Sequence, residues 1–253
     1  MDLHPQATVV IHSNNNLADL VGEKVMNFYG ARVTSVPISC HKEIATSNGM
    51  AKVSEYMLRY SGGRIYEHDQ MSDYIRLLLL YAYGGIHLDS DLVLRQPVDS
   101  YHNAAALEAS GVVNGGFLAF DRYNPVMKHC LDQIPTVHNP FKRSSIGSDL
   151  ITMASKIYSY ELTKDEQLMF TVLPKHTFYK LSFDELAYPH VTQPQYNLRG
   201  SNGELGYHLD GHQLHNKDAT GGRPTSSYSV LGHALRDTCN PDIMTCVELD
   251  NMA

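Results

Sequence analysis

Two aspartates two residues apart, Asp89 and Asp91, stand out for the chemistry they could do. They fall in the segment Ser72–Val98, SDYIRLLLLYAYGGIHLDSDLVLRQPV, between the apolar runs Ile86–Leu88 and Leu92–Leu94. Carboxylate oxygens suit hard divalent cations such as Mg²⁺ or Mn²⁺, which keep open positions for substrate phosphates. A cation held there could neutralise the charge that builds on a departing diphosphate. The first run reads as a strand that ends in Asp89-Ser90-Asp91, and alternation within it turns both side chains to one side of the sheet edge, where α/β sheets bind ligands. Upstream, Asp73 and Arg76 are three apart and so share a helix face. They could hydrogen-bond sugar hydroxyls and pair with phosphate. Taken singly, none of these residues is diagnostic: an Asp-x-Asp arises by chance, Asp73 could be a capping charge, and Arg76 a structural ion-pair partner.

The elements that must position these residues can be read from the pattern around them. Thr8–His12 is a short β-branched run that predicts a buried strand, stopped at Ser13 and three asparagines. Leu17–Phe28 has helical spacing, and Ala31–Ile38 reads as a second strand. Met50–Tyr60 is amphipathic and ends before Gly62-Gly63. Ser72 offers an N-cap for a helix over Tyr74–Tyr83, apolar almost all round and therefore buried, which Gly84-Gly85 stop. Gly116–Phe120 and Met169–Leu173 read as strands, Pro125–Ile134 and Ser148–Tyr158 as helices. Strands interleaved with helices predict an α/β fold with helices on a central sheet.

Composition narrows the function classes. With 253 residues, 43% hydrophobic and 19% charged, the chain can bury a core as a single domain over 1–253. A formal net charge of −7 argues against nucleic acid as a partner. The four cysteines, Cys40, Cys130, Cys239 and Cys246, form no CxxC pair and imply no disulfide framework. No run of about 18 apolar residues predicts a membrane span, and the N-terminus lacks a leader pattern. The expectation is a cytoplasmic protein, or a Golgi-lumenal one separated from its anchor.

Read as a whole, Ser72–Asp91 resembles the DXD sugar-binding region of α-1,4-galactosyltransferase-like and initiating mannosyltransferase-like enzymes, with its pattern SDxxRxxxLxxxGGxYLDxD. Ser72, Asp73, Arg76, Leu80, Gly84, Gly85, Leu88, Asp89 and Asp91 all fall in register. Downstream, Asn114–Phe120 is similar to the NGAFLAF segment of the α-1,4-galactosyl and N-acetylglucosaminyl branch. Leu173-Pro174 with Phe178-Tyr179 is similar to LPxxxFYP, Gly147–Thr152 to GPxLLT, and His212–Lys217 to HxWNK. The resemblance spans about residues 70 to 220.

This resemblance implies a single GT-A-like, Rossmann-like three-layer α/β/α domain with a mixed, mostly parallel sheet. Its nucleotide and metal part would cover about residues 1–120 and its acceptor side about 121–240, with a loose tail at about 241–253. It implies a metal-dependent, retaining transfer of sugar from a nucleotide-sugar donor, a UDP-sugar before a GDP-sugar, to a glycan or glycoconjugate. Asp89 and Asp91 would bind Mn²⁺ or Mg²⁺, completed by His212 or, as alternative, His215. Asp73 and Arg76 would contact donor sugar and phosphate, with Asn114 beside the reacting centre; Asn114 also suits a turn before two glycines. His12, Ser13, His87 and Ser90 complete the expected donor-binding set. Three features depart from the family pattern: His87 replaces its usual Tyr, the acceptor-side features are hard to match, and the chain has no Trp to stack on a base or sugar. No carboxylate stands out as a covalent nucleophile, which favours front-face attack; Glu108 and Asp149 are the alternatives. Rival readings are a sugar-nucleotide binder or hydrolase on the same scaffold, and a metal-dependent phosphohydrolase.

Overall fold

A computed structural model of the chain describes residues 3–4, 6–12, 33–36, 40–60, 66–108, 111–158, 170–179 and 203–208. Strand β1 (Val9–His12) pairs in parallel with β2 (Val33–Val36). Helices α1 (His41–Ser47), α2 (Ala51–Tyr60) and α3 (Glu67–Tyr83) follow. Then come β3 (Gly85–Leu88), β4 (Leu92–Leu94), β5 (Ala104–Leu107) and β6 (Val113–Phe120). Helices α4 (Pro125–Val137) and α5 (Ser148–Ile157) precede β7 (Thr171–Leu173), a 3₁₀ turn (Lys175–Thr177) and β8 (Gly206–His208).

The largest sheet has the order β3-β6-β5-β7, and β4 pairs separately with β8. The mixed α/β fold is the one expected. Within it, β6 runs antiparallel to both β3 and β5, β5 is parallel to β7, and β4 is antiparallel to β8. Among the described residues the pairing is therefore not mostly parallel.

Alternation along β5 and β6 divides the core. Ala105, Leu118 and Phe120 face a cluster with Tyr74, Leu77 and Leu78 of α3 and Met127, Leu131 and Ile134 of α4. Ala104, Ala106, Phe117 and Ala119 face the opposite cluster, with Leu92, Leu173, Phe178 and Leu205. Helices thus cover one face, and β4 with the chain around β7 and β8 covers the other. Leu77, Leu78, Leu118 and Phe117 are all fully buried, and each contributes about 2 kcal/mol through its burial.

Helix α3 begins at Glu67, with Tyr66 as its N-cap residue, and not at Ser72. The polar run Glu67-His68-Asp69-Gln70 carries no apolar periodicity to reveal that first turn, although its acids suit the helix dipole. Ser72 and Asp73 therefore lie inside the helix, where Ser72 Oγ accepts from Arg76 Nη2 at 3.2 Å. Gly84 ends the helix as expected, at φ +69°, and a Cβ there would strike the backbone of Arg122. Helix α4 opens as its sequence suggests: Asn124 Oδ1 accepts from Val126 N at 2.8 Å, with Pro125 in the first position. Helix α1 and strands β5 and β8, all weakly patterned, are additional to the expected elements, and the helix expected over Leu17–Phe28 lies outside the described residues.

Candidate active site at the β3–β4 turn

Asp89 and Asp91 do converge, though not by strand alternation. Strand β3 ends at Leu88, and residues 89–92 make a tight turn in which Leu92 N–H donates to Asp89 C=O at 3.0 Å. Asp89 N–H is anchored to Gly116 C=O at 2.9 Å, so β6 fixes where the turn begins. Strand β8, paired with β4, delivers a third group: His208 Nε2 lies 3.3 Å from Asp91 Oδ1 and 3.9 Å from Asp89 Oδ2. Asp89, Asp91 and His208 offer ligand atoms that all lie within 4.8 Å of one another.

The other oxygen of Asp89 is held from behind. Its Oδ1 accepts from Arg76 Nη1 at 3.0 Å and faces His87 Nε2 at 3.1 Å. Arg76 Nη1 also donates to Gly115 C=O at 2.9 Å, and its Nε lies 3.5 Å from Asp73 Oδ1. One guanidinium from α3 therefore links the acidic turn, the glycine pair of β6 and Asp73. Asn114 belongs to strand β6 and not to a turn. Its amide donates to Glu108 Oε2 at 3.0 Å, and its Oδ1 accepts from Gly116 N–H at 2.6 Å. The pairing of β5 with β6 jumps from Ala105↔Leu118 to Ala106↔Asn114. That bulge lets Gly115-Gly116 leave the ladder and meet Arg76 and Asp89.

These groups surround a cavity of about 400 Å³, lined by Ser72, Asp73, Arg76, Asp89, Asp91, Glu108, Asn114, Gly115 and His208, with His68, Asp69, Arg143, Ser144 and Ser148 completing its wall. Its charges are strongly coupled. Burial works against ionisation of Asp89, yet the neighbouring His208, the hydrogen bond from His87 and the charge of Arg76 hold its carboxyl far below the usual range. Burial likewise disfavours the His208 imidazolium, but Asp89 and Asp91 outweigh it and raise its pKa to about 9. Burial is the main influence on Asp73, whose pKa rises to about 6 despite Arg76. Burial lowers that of His87.

Two carboxylates and an imidazole are a donor set for a divalent cation. Ligand atoms about 2.1 Å from a common ion stand about 3 Å apart when adjacent and about 4 Å when opposed. The His208 distances of 3.3 and 3.9 Å to the two carboxylates fall in that range. The residues present fit the group, and three ligands leave positions open for substrate oxygens.

Comparison with known proteins agrees with this geometry. Residues 1–107 match the family model described as the glycosyltransferase sugar-binding region containing a DXD motif. Over those residues the chain is similar to a DXD glycosyltransferase region. The mouse lactosylceramide 4-alpha-galactosyltransferase is 28% identical over 138 residues, covering 51% of this chain and 38% of that protein. The human alpha-1,4-N-acetylglucosaminyltransferase is 26% identical over 135 residues, covering 50% and 39%. An uncharacterized Arabidopsis thaliana protein is 26% identical over 128 residues, covering 47% and 20%. The matched segment thus spans well under two thirds of these relatives' own lengths.

Asp73, Arg76, Asp89, Asp91 and Asn114 all line one cavity, with His87 hydrogen-bonded to Asp89. Ser90 is exposed on the turn and does not line the cavity. His12 ends β1, and Ser13, His212 and His215 lie outside the described residues. Asp149 is held by Lys142 Nζ at 2.7 Å and Ser144 Oγ at 2.9 Å and lines a different depression. Sequence reasoning missed His208. It is one of 14 histidines, on a strand of three residues, too short for any periodicity to mark it. Among the described residues no helix is long and apolar enough to cross a membrane.

Proposed function

We propose that this chain transfers a glycosyl group from a nucleoside-diphosphate sugar to a hydroxyl of a glycan or glycoconjugate, with retention of anomeric configuration. Asp89, Asp91 and His208 would hold the divalent cation. Their mixed oxygen and nitrogen donors favour Mn²⁺ over Mg²⁺. The observation that carries the reading is the meeting of these three ligands at the floor of a polar cavity that also presents Asp73, Arg76 and Asn114. When bound, such a cation neutralises charge developing on the leaving diphosphate.

The chain's own residues then bind and orient. Asp73, inside the wall against Gly147 and Arg76, is an acceptor for donor-sugar hydroxyls. Arg76 fixes Asp89 and adds positive charge beside the diphosphate. Asn114 stands at the reacting end, its carboxamide oriented by Glu108 and the Gly116 N–H. The acceptor hydroxyl approaches the face from which the diphosphate leaves. The bond from sugar to phosphate breaks, the bond from acceptor oxygen to sugar forms, and the acceptor proton passes to the leaving phosphate. Front-face attack is supported by partners for each cavity carboxylate: Asp69 with Arg143, Asp73 with Arg76, Glu108 with Asn114, Asp89 and Asp91 with His208. A UDP-sugar is favoured by the resemblance in Ser72–Asp91, and galactose or N-acetylglucosamine by the names of the relatives.

The test is incubation with UDP-galactose, UDP-glucose, UDP-N-acetylglucosamine and GDP-mannose, with and without Mn²⁺ and a panel of glycan acceptors. Nucleotide release that requires both metal and acceptor, with an α-linked product by NMR from an α-linked donor, is expected. Equal release without acceptor would mean hydrolysis, and an inverted product would rule out the front-face route.

A further inference from the structure

Tyr179 stands immediately behind the candidate metal ligands, and its hydroxyl is unsatisfied. The residue is 5% exposed, and its Oη is buried with no hydrogen-bond partner. An orphaned buried hydroxyl is destabilising and calls for a reason. The backbone places it deliberately: Tyr179 N–H donates to Lys175 C=O at 2.9 Å, and His208 N–H donates to Phe178 C=O at 3.0 Å. The 3₁₀ turn and β8 are thereby stitched together with Tyr179 beside His208, their rings 5.2 Å apart at 48°. The hydroxyl points toward Gly116. A Cβ added to Gly116 would lie 3.1 Å from Tyr179 Oη, 3.1 Å from Asp89 Oδ2 and 3.1 Å from Asn114 Oδ1. Asp89 Oδ2 is the oxygen that faces His208, whereas Oδ1 is taken by Arg76 and His87.

We propose that Tyr179 is a positioning residue for the cation site, its ring bracing the His208 imidazole and its free hydroxyl donating a hydrogen bond to an anionic oxygen of the loaded site. The hydroxyl lies near Asp89 Oδ2, the carboxylate oxygen that Arg76 and His87 do not contact. Two oxygens have the required chemistry, the Asp89 carboxylate and a diphosphate oxygen. This inference rests on the cation reading above. Groups that orient metal ligands from behind typically set affinity within about 10–100-fold.

The experiment measures Mn²⁺ affinity by electron paramagnetic resonance and UDP affinity by calorimetry at saturating Mn²⁺, in wild type, Tyr179→Phe, Tyr179→Leu and Asp91→Asn. Tyr179→Phe keeps the ring and loses only an unpaired hydroxyl, so its thermal midpoint without metal should equal or exceed that of wild type. Its affinity should fall about tenfold or more. A loss with Mn²⁺ alone assigns the bond to the carboxylate, and a loss seen only with UDP assigns it to the diphosphate. Tyr179→Leu should weaken Mn²⁺ further, because His208 loses its brace. Unchanged affinity in both arms for Tyr179→Phe, or a lowered thermal midpoint without metal, overturns the proposal. Asp91→Asn separates the two readings: if it too binds Mn²⁺ like wild type, the cation site itself is misplaced.

Discussion

Replacing Asp73 by Asn should make the protein more stable at neutral pH while weakening its hold on the donor. The side chain of Asp73 is only 16% exposed, and burial outweighs Arg76, so its pKa stands near 6 against 3.8 for the unfolded chain. The folded state therefore binds this proton more tightly than the unfolded state does. The penalty for ionised Asp73 is absent below pH 3.8, grows as pH rises toward 6, and is constant above it. The gap between 3.8 and about 6 corresponds to about 3 kcal/mol. Asn is nearly isosteric and carries no charge, so Asp73→Asn should gain about 1–3 kcal/mol at pH 7 and less than about 1 kcal/mol at pH 4. Urea denaturation followed by circular dichroism, extrapolated to water at each pH, reads both numbers. The same variant should bind UDP-sugar at least about tenfold more weakly, because a charge-assisted acceptor is lost. A variant no more stable than wild type at pH 7, or equally stabilised at both pH values, would refute the argument that Asp73 is held there against its own preference.

Two further predictions follow from the same site. His208, with its pKa raised to about 9, must lose a proton to become a ligand. Mn²⁺ affinity should therefore increase with pH up to about 9, and calorimetry in buffers of different ionisation heat should show about one proton released at pH 7. Without metal, the stabilising contribution of His208 is complete below pH 6.5 and disappears as pH rises through about 9; flat stability across that window would contradict it. Gly116→Ala places a methyl 3.1 Å from Asn114 Oδ1, Asp89 Oδ2 and Tyr179 Oη. It should lower Mn²⁺ and UDP affinity about tenfold, and retention of full affinity would show that the spot those oxygens enclose is not used.

How much of this was legible in the sequence depended on how strongly each feature was patterned. The Asp73–Arg76 spacing survives because a helix enforces three-residue neighbours whatever its ends do, and the N-cap of α3 lies six residues earlier, at Tyr66 rather than Ser72, without disturbing it. Gly84 stopped its helix because the backbone there has φ +69° and no room for a side chain. Asp89 and Asp91 were correctly paired for the wrong reason, since a turn rather than strand alternation joins them. What a linear reading lacked were contacts between distant segments. Asn114 seemed free to form a turn until Glu108 and the β6 bulge fixed it in a strand. His208 reaches the aspartates only because β8 pairs with β4, more than a hundred residues away in the chain. The orphaned hydroxyl of Tyr179 is a property of its surroundings and has no counterpart in composition or spacing.

The most direct measurement is anomalous diffraction at the manganese edge from crystals grown with Mn²⁺ and UDP. A single peak coordinated by Asp89, Asp91 and His208 and by diphosphate oxygens is the predicted result. A manganese ion bound anywhere else, with those three side chains turned to solvent, would contradict it.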